Sequence, residues 1–274
     1  MKLAVCNEFF EGWKIERIFD YAAEIGCDGV EIAPFTLADS VNRISAARRN
    51  NIRKAADAAG VEIVGLHWLL LKPEGLYITH PDAEVRTRTQ DYIKALINFC
   101  GDIGGKVMIH GSPHQRNIQK GWDSDACWKW AVDLFAGCTD LMARRGITYC
   151  IEPLTGQETN FITSMADALK LVAAVDHPNF QTMVDCKAAA AENRPHVDVI
   201  AQAGKALRHV HVNDPNLRGP GFGTLDFAPI LKALKDRAYT GYVSVEVFDF
   251  KPDPQTIASR SIGYLRGILE GLSA

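Results

Sequence analysis

The sequence predicts an α/β fold: a single-domain (β/α)8 (TIM) barrel spanning residues 1–274. Three observations point there. Short runs rich in β-branched residues alternate strictly with amphipathic stretches, which argues for a parallel sheet. Eight such units fill 274 residues at about 34 each, matching the roughly 250-residue closed barrel. No linker, low-complexity tract or shift in composition offers a domain boundary. An open doubly wound sheet would normally carry a Gly-rich phosphate loop after its first strand, and "VCNEFFEGW" has none.

Taken in order, the strands are "KLAVC" (2–6), "GVEIA" (29–33), "VEIVGLH" (61–67), "KVMIH" (106–110), "ITYCIE" (147–152), "FQTMVD" (180–185), "LRHVHV" (207–212) and "YVSVEV" (242–247). Each is short, β-rich and followed by a polar loop. A helical stretch comes next in every unit, among them "WKIERIFDYAAEIG", "DSDACWKWAVDLFAGCTDLMARRG" and "FAPILKALKDRAY". Gly26, Gly60, Gly104, Gly146 and Gly204 stand where helices should stop, as C-terminal caps before the next strand.

Composition narrows the function. With 47% hydrophobic and 23% charged residues the chain is an ordinary globular one. A net charge of -3 gives no reason to expect nucleic acid or an anionic membrane as partner. No apolar run approaches the roughly 20 residues that span a bilayer, and "MKLAVCNEFF" turns polar too soon for a secretory signal. Seven cysteines, an odd number with no C-x-x-C pair, read as reduced and mostly buried thiols. A cytoplasmic protein is the plain expectation.

In such a barrel the C-terminal ends of the strands form the mouth where chemistry happens. The predicted strand ends bring Glu8, Glu31, His67, His110, Glu152, Asp185, His211 and Glu246 there, one ionisable group per strand. Side-chain alternation sharpens the pattern. Glu246 shares a face with Ser244 and Tyr242, Glu152 with Cys150 and Thr148, and Asp185 with Met183. His209 and His211 point the same way, opposite Val210 and Val212, with His209 one layer deeper as a packed, hydrogen-bonded histidine. Glu152, Asp185, His211 and Glu246 can thus all face the barrel axis. Three carboxylates converging there repel one another unless a cation holds them. One imidazole with three carboxylates suits a divalent ion of the Mn2+, Mg2+ or Co2+ type better than an all-thiolate zinc site.

His67 and His110 stand between substrate contact and a structural role, and Glu8 and Glu31 between polar rim and substrate contact. Trp68, with Leu69 and Leu70, either forms an apolar lid that excludes water or packs against a neighbouring loop or subunit. The loop "HGSPHQR" offers Ser112, His114 and Arg116 as an anion site or simply as polar rim. His80, His114, His177 and His196 fall in loops or at helix starts and are expected to face solvent.

Four stretches, "CIEPLTGQETNF", "MVDC", "HVHVNDPNLRGPGFG" and "GYVSVEVF", together with "GLHWLL", resemble the xylose-isomerase-like TIM-barrel sugar isomerases and epimerases. The likeness is greatest to the ketose 3-epimerase branch, the D-tagatose and D-psicose 3-epimerases. The resemblance implies a metal site at Glu152, Asp185, His211 and Glu246, with Glu152 and Glu246 as the paired acid/base groups. It also implies that Glu158 and Arg218 bind substrate hydroxyls, approaching each other at the pocket. The expected ligand is a small sugar, and the expected assembly a dimer or tetramer of identical chains. One departure stands out: the family usually has a histidine three residues after the strand-6 aspartate, where "DCKAAAAENRP" has Ala188. Beside it, Lys187 either replaces the lost donor at the substrate or is a solvated loop lysine.

The function this implies is epimerisation or isomerisation of a ketose or keto-sugar through an enediolate. A metal-dependent lyase acting on a 3-keto-glycoside would use the same groups. A non-catalytic sugar-binding barrel and an apurinic endonuclease are further readings. The second is disfavoured by Ala188, which stands where such enzymes place a metal-binding histidine, and by the overall charge.

Overall fold

A computed structural model describes residues 1–273. The β–α alternation becomes eight parallel strands that pair in sequence order and close into a barrel. They are β1 (Lys2–Cys6), β2 (Gly29–Ile32), β3 (Glu62–Leu66), β4 (Val107–His110), β5 (Thr148–Ile151), β6 (Phe180–Asp185), β7 (Leu207–Val212) and β8 (Tyr242–Val245). Three of the eight, β1, β6 and β7, have the bounds read from sequence. β4 starts one residue late, and β2, β3, β5 and β8 end one or two residues early, which leaves His67, Glu152 and Glu246 just beyond their strands.

The helices are α1 (Ile15–Glu24), α2 (Ala46–Ala59), α3 (Ala83–Ile103), α4 (Ser124–Ala136), α5 (Thr139–Arg145), α6 (Met165–Val175), α7 (Cys186–Ala191), α8 (His196–Ala203), α9 (Ala228–Asp236) and α10 (Pro254–Gly271). The stretch 123–146, read as one helix, breaks after Ala136. Gly137 is a poor helix former, and Thr139 Oγ1 donates to the Ala136 carbonyl at 2.8 Å, satisfying an acceptor freed by the break. All five glycines read as caps have positive φ.

The apolar strand faces divide the core in two. Val5, Val30, Ile32, Val210, Val212, Val243 and Val245 face outward and pack with the helices. Inside the barrel Ile109, Cys150 and Met183 form a small separate plug. Gly65 is where β3 and β4 come closest: a Cβ there would lie 1.7 Å from the Val107 carbonyl oxygen. Above the plug the inward positions turn polar, and the chemistry begins there.

Candidate active site

At the C-terminal mouth, Glu152, Asp185, His211 and Glu246 offer donor atoms that all lie within 4.8 Å of one another. None is more than 4% exposed. Strand register accounts for part of this: Asp185 pairs laterally with His211, and His211 with Ser244, two residues before Glu246 on the same face. His211 Nδ1 lies 3.1 Å from Glu246 Oε2 and 3.8 Å from Glu152 Oε1. Both His211 Nδ1 and Glu246 Oε2 are buried without a hydrogen-bond partner. Orphaned donors and acceptors are rare in protein interiors, and three buried carboxylates around one imidazole are an excess of negative charge. The donor set fits a divalent cation with oxygen-rich coordination.

Neighbours hold the four side chains in place. Asp185 caps the short helix α7 by accepting from the Ala188 amide at 2.7 Å, and its other oxygen accepts from Asn213 Nδ2 at 2.6 Å. Asn213 also accepts from the Lys187 amide at 2.8 Å, tying the ends of β6 and β7 together. Trp68, whose φ of 51° is unusual for an aromatic residue, donates from Nε1 to Glu246 Oε1 at 3.1 Å. Asn213 was missed in the sequence; its place directly after a strand carrying a ligand was the available sign.

Gly111 supports Glu152 by having no side chain. A Cβ there would sit 2.1 Å from Glu152 Oε2. Gly111→Ala is therefore expected to displace the Glu152 carboxylate, weakening metal binding and turnover at least about tenfold while the melting temperature changes little. Unchanged metal affinity by calorimetry would show that Glu152 is not held where the structure has it.

Electrostatics set the four groups apart. Burial, reinforced by the charge of Glu246, pushes the Glu152 carboxyl up to about 7. Burial and the same neighbour raise Asp185. Burial also opposes charge on Glu246 and His211, but their mutual attraction prevails: Glu246 is lowered, and His211 is held well above the usual imidazole range, helped by Glu31.

The pocket over this ring is lined by residues that include Trp68, Gly111, Glu152, Glu158, Glu246 and Phe248. Trp68 and Phe248 also line an adjoining cleft with Phe10, Trp13, Phe35 and Phe250. Glu158 lies in the cavity wall, where its Oε1 accepts from Lys187 Nζ at 2.6 Å and its Oε2 from Thr155 Oγ1 at 2.8 Å. Lys187 is not a solvated loop lysine. Its side chain is 10% exposed, and its ammonium rests 4.0 Å from the centre of the Phe248 ring.

Two expected substrate contacts lie elsewhere. Arg218 forms neither an ion pair nor a hydrogen bond with Glu158. Its Nε pairs with Asp249 Oδ2 at 3.1 Å and its Nη2 donates to the Lys251 carbonyl at 3.3 Å, so the loop after β7 is fastened to the loop after β8. His110 faces the helix layer. Its Nδ1 is 2.6 Å from the Tyr149 hydroxyl, and its ring meets Phe135 edge-on at 5.5 Å. Burial pushes its imidazole down to about 3, so it is neutral. Alternation explains this: Ile109 faces the barrel interior, so His110 faces out and Gly111 faces in again. Tyr149→Phe is expected to lower stability by about 1–3 kcal/mol without altering metal affinity. A changed metal affinity would return His110 to the site.

His67 does lie beside the ring, with Nε2 2.7 Å from Glu8 Oε2 and its ring centre 6.0 Å from that of His211. In the loop 110–116, Ser112 and Arg116 are turned inward and His114 outward. Ser112 Oγ accepts from the Leu70 amide at 3.0 Å, and Arg116 is fully buried, donating from Nη1 to the Glu152 carbonyl at 2.8 Å. Burial lowers that guanidinium to about 10. Of the histidines expected to face solvent, His114 is exposed, while His196 Nε2 contacts the Cys186 carbonyl oxygen at 2.8 Å.

The chain is similar to fructoselysine 3-epimerase of Shigella flexneri, 24% identical with 93% of each chain covered. It is likewise similar to 3-dehydro-D-guloside 4-epimerase of Escherichia coli strain K12, 25% identical over 97% of this chain and 99% of that protein. Among solved structures, D-psicose 3-epimerase with D-tagatose from Clostridium cellulolyticum H10 shares the fold. Its TM-score is 0.82 at 22% identity, covering 99% of this chain and 92% of that one. The model of a protein family described as the xylose isomerase-like TIM barrel matches residues 19–268. A match that takes in seven of the eight strands, all but β1, means that the chain belongs to the xylose isomerase-like TIM barrel family.

Proposed function

We propose that this chain is a divalent-metal-dependent epimerase of a ketose or keto-sugar. One observation carries the reading: Glu152 and Glu246 belong to one cluster of potential ligands and also line one cavity. They come from β5 and β8, which are separated by two strands on that side of the barrel, so they reach a bound substrate from different directions. Inversion at a carbon beside a ketone needs this arrangement. One carboxylate removes the proton from one face, and the other delivers a proton to the opposite face. A divalent ion held by Glu152, Asp185, His211 and Glu246, with Mn2+ the first choice, would polarise the ketone and stabilise the enediolate. Trp68 covers the pocket beside Glu246 and restricts water there, while Lys187 and Glu158 present polar atoms along its wall.

The names of the relatives support sugar epimerisation and differ in the carbon inverted. They also support a substrate that carries a substituent, and the aromatic cleft that shares Trp68 and Phe248 with the cavity has room for one. The test is NMR in D2O on the Mn2+-loaded protein with free ketoses, fructosyl amines and 3-keto-glycosides. Deuterium entering at one carbon beside the ketone, with the epimer accumulating, is expected. Release of the substituent would instead make the protein a lyase. No exchange with any member of the panel would remove the epimerase reading.

A further inference from the structure

Glu31 lies on β2, whose neighbours are β1 and β3, yet it touches two side chains of β7 across the barrel interior. Its Oε1 is 3.0 Å from His211 Nε2, and its Oε2 is 2.7 Å from His209 Nε2. The first contact is a hydrogen bond. The second is a close polar contact at an angle that leaves both atoms without a hydrogen bond. Glu31 is 1% exposed and both histidines are fully buried. Strand pairing did not create this contact; the alternations of two separate strands did. Val30 and Ile32 face the helices, which turns Glu31 inward, and the two histidines share the inward face of β7.

The contact decides how His211 presents itself. An ionised carboxylate can only accept, so the 3.0 Å bond to Glu31 places a proton on Nε2. Once an entering cation has expelled the ring's second proton, the lone pair of the neutral ring is on Nδ1. That is the nitrogen facing Glu246 and Glu152, and it has no other partner. A ring free to turn, or with the proton on the other nitrogen, would offer these carboxylates an N–H instead of a ligand.

We propose that Glu31 is a positioning residue for the metal site. It holds His211 in the Nε2–H tautomer with Nδ1 toward Glu152, Asp185 and Glu246, and His209 anchors Glu31 from the deeper layer. This rests on the reading of those four residues as a cation site. A carboxylate behind a ligating histidine orients the ring and raises its basicity, and losing such a partner typically weakens metal binding about 10–100-fold.

The experiment has two arms. Calorimetric titration of Mn2+ into metal-free protein should show tight binding to the wild type and about 10–100-fold weaker binding to Glu31→Gln. Nitrogen-15 NMR of histidine-labelled wild type loaded with diamagnetic Mg2+ should show His211 protonated at Nε2 and ligating through Nδ1. This second arm needs no variant, so ligation through Nε2 would overturn the inference even where Glu31→Gln does not fold. In a folded Glu31→Gln protein the same spectrum should show a changed His211 tautomer, which a merely structural role for Glu31 would not produce. Equal Mn2+ affinity in wild type and Glu31→Gln, or ligation through Nε2, would overturn the inference and leave the metal site standing. A wild type that binds no Mn2+ would overturn both.

Discussion

Glu152→Gln and Glu246→Gln should each retain Mn2+ yet turn over substrate about 10²–10⁴-fold more slowly than the wild type. Removing either side chain altogether would be uninformative, because both belong to the ligand cluster and the ion could be lost with them. Gln keeps an oxygen donor at nearly the same volume but cannot accept the substrate's proton. If one carboxylate serves each face, one of the two variants still exchanges the substrate's proton with D2O, because its surviving base reaches one epimer. The checks are metal content by mass spectrometry beside steady-state rates. Two metal-replete variants working at near wild-type rate would mean that the proton moves through other groups. His67, buried beside the cluster, and the partly buried Lys187 would then be the candidates.

Chelation should reduce activity to background, and Mn2+ or Co2+ should restore it. The affinity should also depend on pH with a definite sign. Burial and Glu246 push Glu152 up to about 7, and His211 is held above the usual imidazole range despite its burial. Below these values the metal-free site carries protons that an entering cation must expel. Binding therefore strengthens as pH rises through about 7, and at pH 6 it releases protons to the buffer. Calorimetry in two buffers of different ionisation enthalpy measures that release. PH-independent affinity between 5.5 and 8, taken as a span of about one unit or more either side of the transition, would contradict the electrostatics described for the site.

The legible part of the site was the part that strand alternation controls. On β5 to β8 the inward positions follow from parity alone, and those four strands supply the ligand cluster. The same rule places Ile109 and Gly111 inward on β4 and turns His110 out to Tyr149, so reading His110 as a rim residue neglected parity. Loops were less readable because nothing periodic fixes their side chains. Arg218 is drawn to Asp249, 31 residues away in sequence, and no local pattern encodes that pairing. Lys187 looked like a surface residue until Glu158 and Phe248 closed around it. Arg116 is buried through the carbonyls it caps, and carbonyls leave no trace in a sequence. Glu31 was legible as a position but not as a partner. Its contact with β7 exists only because the barrel closes and brings non-neighbouring strands face to face.

The most direct measurement is anomalous X-ray diffraction at the manganese edge from crystals soaked in Mn2+. A single strong peak within bonding distance of Glu152, Asp185, His211 and Glu246, and contacting Nδ1 of the histidine, is the outcome that the clustering of these donors predicts. A peak held by other residues, or no peak in crystals of protein that binds Mn2+ in solution, would contradict it.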